Sequence, residues 1–198
     1  AAQGAGLSLG GVVIAGFGAG HVSEQTAEVA DCLQATGLRP IEWLCRHGAP
    51  DARWQLVHAT HATPAEIEAV AHSGAGVVIC PSTEANLGDG LTDIPGWLHA
   101  GVPLAIGSDS QVGRSWPQEL RWLDYGQRLA LRQRNVAAAP ELGLDATAAR
   151  LFDAALGASA APGRANEKAI ETANEKSERF IIMRAPAWTA ASRWRRRG

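Results

Sequence analysis

Three cysteines in 198 residues, Cys32, Cys45 and Cys80, are too few and too irregularly spaced for a disulfide framework. They form no CxxC pair, which excludes a thiolate zinc knuckle and points to a reducing, cytoplasmic compartment. An excess of one charge is missing too. With a net charge of −2 the chain offers no general attraction for nucleic acid or for an acidic surface. Its one basic cluster, at 193–197, lies at the far C-terminus and reads as a solvated tail. Long hydrophobic runs are absent. Residues 7–19 are apolar but glycine-rich, too short to span a bilayer and without a basic leader, so neither an export signal nor a membrane span is expected. Ala-Asn-Glu-Lys occurs at 165 and again at 173, which is too little for a repeat architecture.

What is present is an ordinary core-forming composition, 46% apolar and 19% charged, arranged in alternating blocks. GGVVIAGF, at 10–17, reads as a first strand, and a helix over 24–36 follows, stopped by Gly37. A second helix over 40–47 ends at Gly48. Residues 53–58 read as a strand. Thr63-Pro64-Ala65-Glu66 has the order of a capped helix start, with Thr as N-cap and Pro at the first helical position, and that helix closes near Gly74. A strand at 76–80 leads into a polar loop at 81–90. A short helix at 97–100, a strand at 103–107 and a long amphipathic helix at 117–135 complete the pattern. Strand and helix alternate, so the fold class is α/β with a parallel sheet. About half of an eight-stranded βα barrel fits this order, as does a small open doubly wound sheet. From Pro162 onward the texture changes.

Polar residues of interest stand at strand ends: His21 after the first strand, His58 at the end of the second and Asp109 at the end of the fourth. In a parallel sheet these ends share one edge, where α/β proteins place their sites. Imidazole and carboxylate are normal ligands of zinc or a related divalent ion, which in turn acidifies bound water. Glu24, three residues past His21, suits a general acid/base task. Each residue also has a plainer explanation. A strand-end His is often only hydrogen-bonded, Asp109 could cap the next helix, and Glu24 is favoured by a helix dipole. His61 reads as a surface group, and His47, His72 and His99 as helix-end histidines.

HVSEQTAEVADCL, LVHATHATPAE, CPSTEANLGDG, IGSDSQV and ELRWLDYGQRLALRQRN together resemble the amidohydrolase superfamily and, within it, the formimidoylglutamate deiminases of histidine degradation. The resemblance covers roughly 21–156. It implies a partial (β/α)8 TIM barrel, with this chain supplying the family's strands five to eight: a glycine-rich strand or linker at 1–20, the half-barrel at 21–160 and a divergent segment at 161–198. It further implies zinc, with His21 and Asp109 as ligands, Glu24 as proton shuttle, His58 polarising water and substrate, and Asp109 also accepting the proton of water. The implied partner is a small formimino amino acid, converted from N-formimino-L-glutamate and water to N-formyl-L-glutamate and ammonia. A nucleobase-type cyclic amidine is the alternative substrate. Thr83, Glu84 and Asn86 fall on the same rim with no contact assigned.

The sequence departs from that pattern. No HxH occurs, although the family takes two zinc ligands from such a pair, and Ala19 stands where relatives tend to carry a second histidine. The chain is therefore expected to be a truncated copy that binds zinc weakly and shows no turnover alone, with a non-catalytic remnant as the competing reading. Pairing of half-barrels into a homodimer is left open.

Overall fold

The computed structural model describes residues 8–9, 12–14 and 19–160. Among the described residues six strands lie side by side in chain order: β1 (Ser8–Leu9), β2 (Val12–Ile14), β3 (Ala19–Val22), β4 (Gln55–His58), β5 (Gly76–Ile79) and β6 (Leu104–Ile106). From β3 to β6 all neighbours are parallel, with Val22 beside His58 and Ile79 beside Ile106. This is the α/β partial barrel expected.

One expectation fails at the start of the sheet. GGVVIAGF does not form a first parallel strand; Val12–Ile14 runs antiparallel to β3, and β1 antiparallel to β2. Only residues 15–18 separate Ile14 from Ala19, and a parallel crossover needs about a dozen residues or more. His21 accordingly lies inside β3 rather than after the first strand.

The helices are α1 (Thr26–Thr36), α2 (Pro40–His47), α3 (Pro64–Ser73), α4 (Pro81–Leu87), α5 (Ile94–His99), α6 (Trp116–Leu131) and α7 (Thr147–Ala160), with a 3-10 turn at Pro140–Leu142. At α3 the expected cap is present: Thr63 Oγ1 accepts from the Glu66 amide at 3.3 Å while the Glu66 carboxylate accepts from the Thr63 amide at 2.9 Å. Such caps are worth about 1 kcal/mol. The segment read as a polar loop is helical instead. Pro81 opens α4, Glu84 favours its first turn, and Gly88 closes it in the left-handed region at φ 74°. α1 begins two residues later than read, leaving Glu24 in the turn ahead of it.

Alternation along the strands sorts the core into two layers. Leu56, Val77, Ile79 and Leu104 face the helices, where Ile41, Leu44, Ile94 and Trp97 cover them. Val57, Val78 and Ala105 form, with Cys80, a smaller cluster on the opposite face. β5 is buried along its whole length, as a central parallel strand must be. Among the described residues no helix is long and apolar enough to cross a membrane. The segment 161–198, and most of the glycine-rich stretch at 1–20, lie outside the described residues.

Candidate metal and acid–base site

At the C-terminal ends of the parallel strands the backbone leaves its ordinary conformations. Ser23, His58, Ala59 and Asp109 all adopt positive φ, at 52°, 67°, 48° and 46°. None is glycine, and such positions cost on the order of 1–3 kcal/mol each unless their surroundings hold them. They close β3, β4 and β6, and they aim side chains from three strands at one place.

That place is built around His58, whose side chain is fully buried. Its Nε2 lies 3.1 Å from His21 Nδ1, 3.5 Å from Glu24 Oε1 and 3.8 Å from Asp109 Oδ2. His21 Nδ1 is 3.9 Å from Glu24 Oε2, and the two imidazoles tilt against each other with centroids 4.9 Å apart. All four residues picked out from the sequence are thus brought together. Asp109 does not cap the following helix, since α6 begins only at Trp116. Glu24 and Asp109 remain partly exposed, so the cluster opens outward on their side.

Glu24 is held in place by Glu28, in the first turn of α1. The Glu28 carboxylate accepts from the Ser23 amide at 2.6 Å and from the Glu24 amide at 2.8 Å. It substitutes for the side-chain cap that Gln25 fails to supply. The neighbouring His21, and then His58, hold the Glu24 carboxyl below the usual carboxylate range against the opposing effect of burial. Burial alone would lower the His58 imidazole, but its hydrogen bond to Glu84 and the charges of Glu24, Glu84 and Asp109 raise it instead.

Two further carboxylates line the cluster: Glu84, placed on the rim by the sequence but without a contact, and Asp89, which the sequence did not single out. Glu84, almost wholly buried, puts Oε1 3.2 Å from His58 Nδ1. Burial pushes its carboxyl up even though His58 pulls it down. Both members of the pair therefore move up, and their contribution to stability falls as pH rises through the raised values. Asp89 is buried beside the turn after α4, and burial, then the charge of Glu24, raises its carboxyl. A useful signal for Glu84 was a carboxylate four residues past Cys80, the residue that follows buried β5, a spacing that lets it fold back over the strand end. His61 is also no mere surface group, because its Nε2 is buried and lacks a hydrogen-bond partner. His47 and His72 behave as helix-end histidines should: their Nδ1 atoms donate to the carbonyls of Trp43 and Glu68, at 2.9 and 2.7 Å.

The donor set fits a divalent ion. His21, Glu24 and His58 each offer one ligand atom within 4.8 Å of the others, with Asp109 adjacent. Ligand atoms on a tetrahedral ion at about 2.0–2.1 Å stand about 3.3 Å apart. The separations of 3.1, 3.5, 3.8 and 3.9 Å bracket that spacing.

Residues 18–166 match the amidohydrolase family profile. The chain belongs to the amidohydrolase family. Among characterised relatives, formimidoylglutamate deiminase of Pseudomonas aeruginosa is 56% identical over 115 residues, covering 58% of this chain and 25% of that protein. The 5-methylthioadenosine/S-adenosylhomocysteine deaminase of Natronomonas pharaonis is 30% identical over 131 residues, 65% of this chain and 30% of that one. This amidohydrolase thus spans about a quarter to a third of the length of the relatives it matches. Among solved structures, an amidohydrolase from Brucella melitensis superposes with a TM-score of 0.67 at 48% identity, covering 73% of this chain and 32% of that one. An adenosine deaminase from Xanthomonas campestris with bound zinc gives 0.57 at 31% identity, covering 69% and 31%.

Proposed function

We propose that this amidohydrolase carries the His21, Glu24, His58 and Asp109 part of a deiminase site that hydrolyses the C–N bond of a formimino amino acid, N-formimino-L-glutamate above all. The observation that carries the reading is the convergence of two imidazoles and two carboxylates around His58 Nε2, within 3.1–3.8 Å. The 56% identity to the Pseudomonas aeruginosa deiminase favours the formimino substrate over a nucleobase. His21 and Asp109 would hold the metal, zinc or a related divalent ion. Such an ion supplies Lewis acidity that makes water a nucleophile near neutral pH.

This chain's own groups do the rest. Glu24, kept ionised by His21, takes a proton from the attacking water and passes it to the departing nitrogen, so that ammonia leaves and N-formyl-L-glutamate remains. His58 orients and polarises the attacking water through Nε2. Asp109 takes the second proton of water, and that proton also passes to the departing nitrogen, which completes ammonia as the C–N bond breaks. Three free cysteines support a reducing, cytoplasmic setting. The half-barrel at 21–160 is the unit proposed to carry this site, with 161–198 a separate segment.

A chimera tests the substrate. The matching stretch of the Pseudomonas aeruginosa deiminase is replaced by the homologous residues of this chain, and ammonia release from N-formimino-L-glutamate is measured. Turnover within roughly 100-fold of the parent is expected, since a misplaced group costs about that much. A folded, zinc-loaded chimera that releases ammonia only from nucleobases, or from neither, defeats the reading.

A further inference from the structure

The buried carboxylate behind His58 belongs to no part of that reading. Glu84 sits in the first turn of α4, four residues after Cys80, at the end of β5. The two residues are tied in both directions: the Glu84 amide donates to the Cys80 carbonyl at 2.9 Å, and the Cys80 amide donates to Glu84 Oε1 at 2.8 Å. This folds the carboxylate back over the strand end and towards β4, where Oε1 meets His58 Nδ1 at 3.2 Å.

We propose that Glu84 is a positioning residue that fixes the ring plane and tautomer of His58, placing the proton on Nδ1 and leaving the Nε2 lone pair to face His21, Glu24 and Asp109. As a carboxylate, Glu84 has no hydrogen to give: Oε1 accepts from the Cys80 amide, and His58 Nδ1 on the same oxygen must donate to it. The ring follows. With Nδ1 carrying the hydrogen, Nε2 is an acceptor or ligand atom. The support reaches further back: α4 is pinned to α6 by Glu119, whose carboxylate accepts from the Ser82 amide at 2.9 Å and from the Ser82 hydroxyl at 2.6 Å. Glu119 is itself buried. A histidine that faces a metal or reacting group on one side and a fixed carboxylate on the other is oriented by the latter, and removing that partner costs roughly 10–100-fold in metal affinity or activity.

The inference rests on the proposed function only in taking His58 as a site residue. Its test reads the ring directly, by nitrogen NMR of 15N-histidine-labelled chain at a pH where the imidazole is neutral. The wild type is expected to show a protonated, pyrrole-type Nδ1 and an unprotonated, pyridine-type Nε2. Glu84→Gln keeps an oxygen acceptor and should keep that tautomer, whereas Glu84→Leu should shift the proton to Nε2. In parallel, ammonia release by the chimera should fall roughly 10–100-fold in Glu84→Leu and be largely rescued in Glu84→Gln, with affinity for Zn²⁺ alone little changed. An Nε2-protonated ring in the wild type or in Glu84→Gln overturns the proposal, as does an unchanged ring in a folded Glu84→Leu. If Glu84→Leu does not fold, the other two spectra decide. A wild type that binds no zinc but shows the Nδ1 proton defeats the metal reading and leaves this one standing.

Discussion

Glu24→Gln in the chimera is expected to lower ammonia release roughly 10²–10⁴-fold, the usual worth of a positioned general acid/base. Gln has nearly the same shape and can still be set by Glu28, which holds the backbone on both sides of the turn at 2.6 and 2.8 Å. What it cannot do is exchange a proton. The loss should therefore fall on kcat with KM little changed, since proton transfer occurs in the transition state. A variant that keeps more than a few per cent of the parental kcat would show that another group carries the proton. The acid side has a definite sign. Because folding lowers the Glu24 carboxyl, its contribution to stability is present above the unfolded value and lost as pH falls through the lowered folded value. In Glu24→Gln that component of acid destabilisation should disappear from urea titrations run across the acidic range.

The largest stability effect is expected from Trp97→Ala, about 3–5 kcal/mol by urea unfolding of the chain, the range for a buried aromatic truncated to Ala. Trp97 is fully buried in the main core cluster, on the helix-facing side of the sheet. Its indole Nε1 donates to Thr92 Oγ1 at 2.8 Å, and the Thr92 hydroxyl donates to the Ala59 carbonyl at 3.2 Å. The substitution thus leaves a cavity and also loosens the residue next to His58, held at φ 48°. A loss below about 1 kcal/mol would mean that the core closes over the gap.

Much of this architecture is legible in local chemistry. The Thr-Pro-Ala-Glu start of α3, the Pro40 and Gly48 bounds of α2 and the β-branched run of β5 each carry a signal contained in a few residues. His21, Glu24, His58 and Asp109 could be placed together because parallel strands put their C-termini on one edge. The hairpin of β2 and β3 was misread because strand propensity says nothing about direction; the short link at 15–18 does. α4 was hidden by its serine, threonine and asparagine, residues that favour loops until a proline start and a glycine stop confine them. Glu84 could be placed on the rim but not given its contact, for a different reason. Its partner is 26 residues away, and no periodicity reports that a first-turn carboxylate bends back across a strand end.

The Ser82–Glu119 link gives the site a clock. The Ser82 amide points at a carboxylate on another helix rather than at its own, so its hydrogen can exchange with solvent only when α4 and α6 part. The same parting withdraws the support of Glu84 from His58. The exchange rate of that single amide is therefore expected to count how often the cluster is dismantled. A site opening on its own would leave the Ser82 amide as protected as the core of β5.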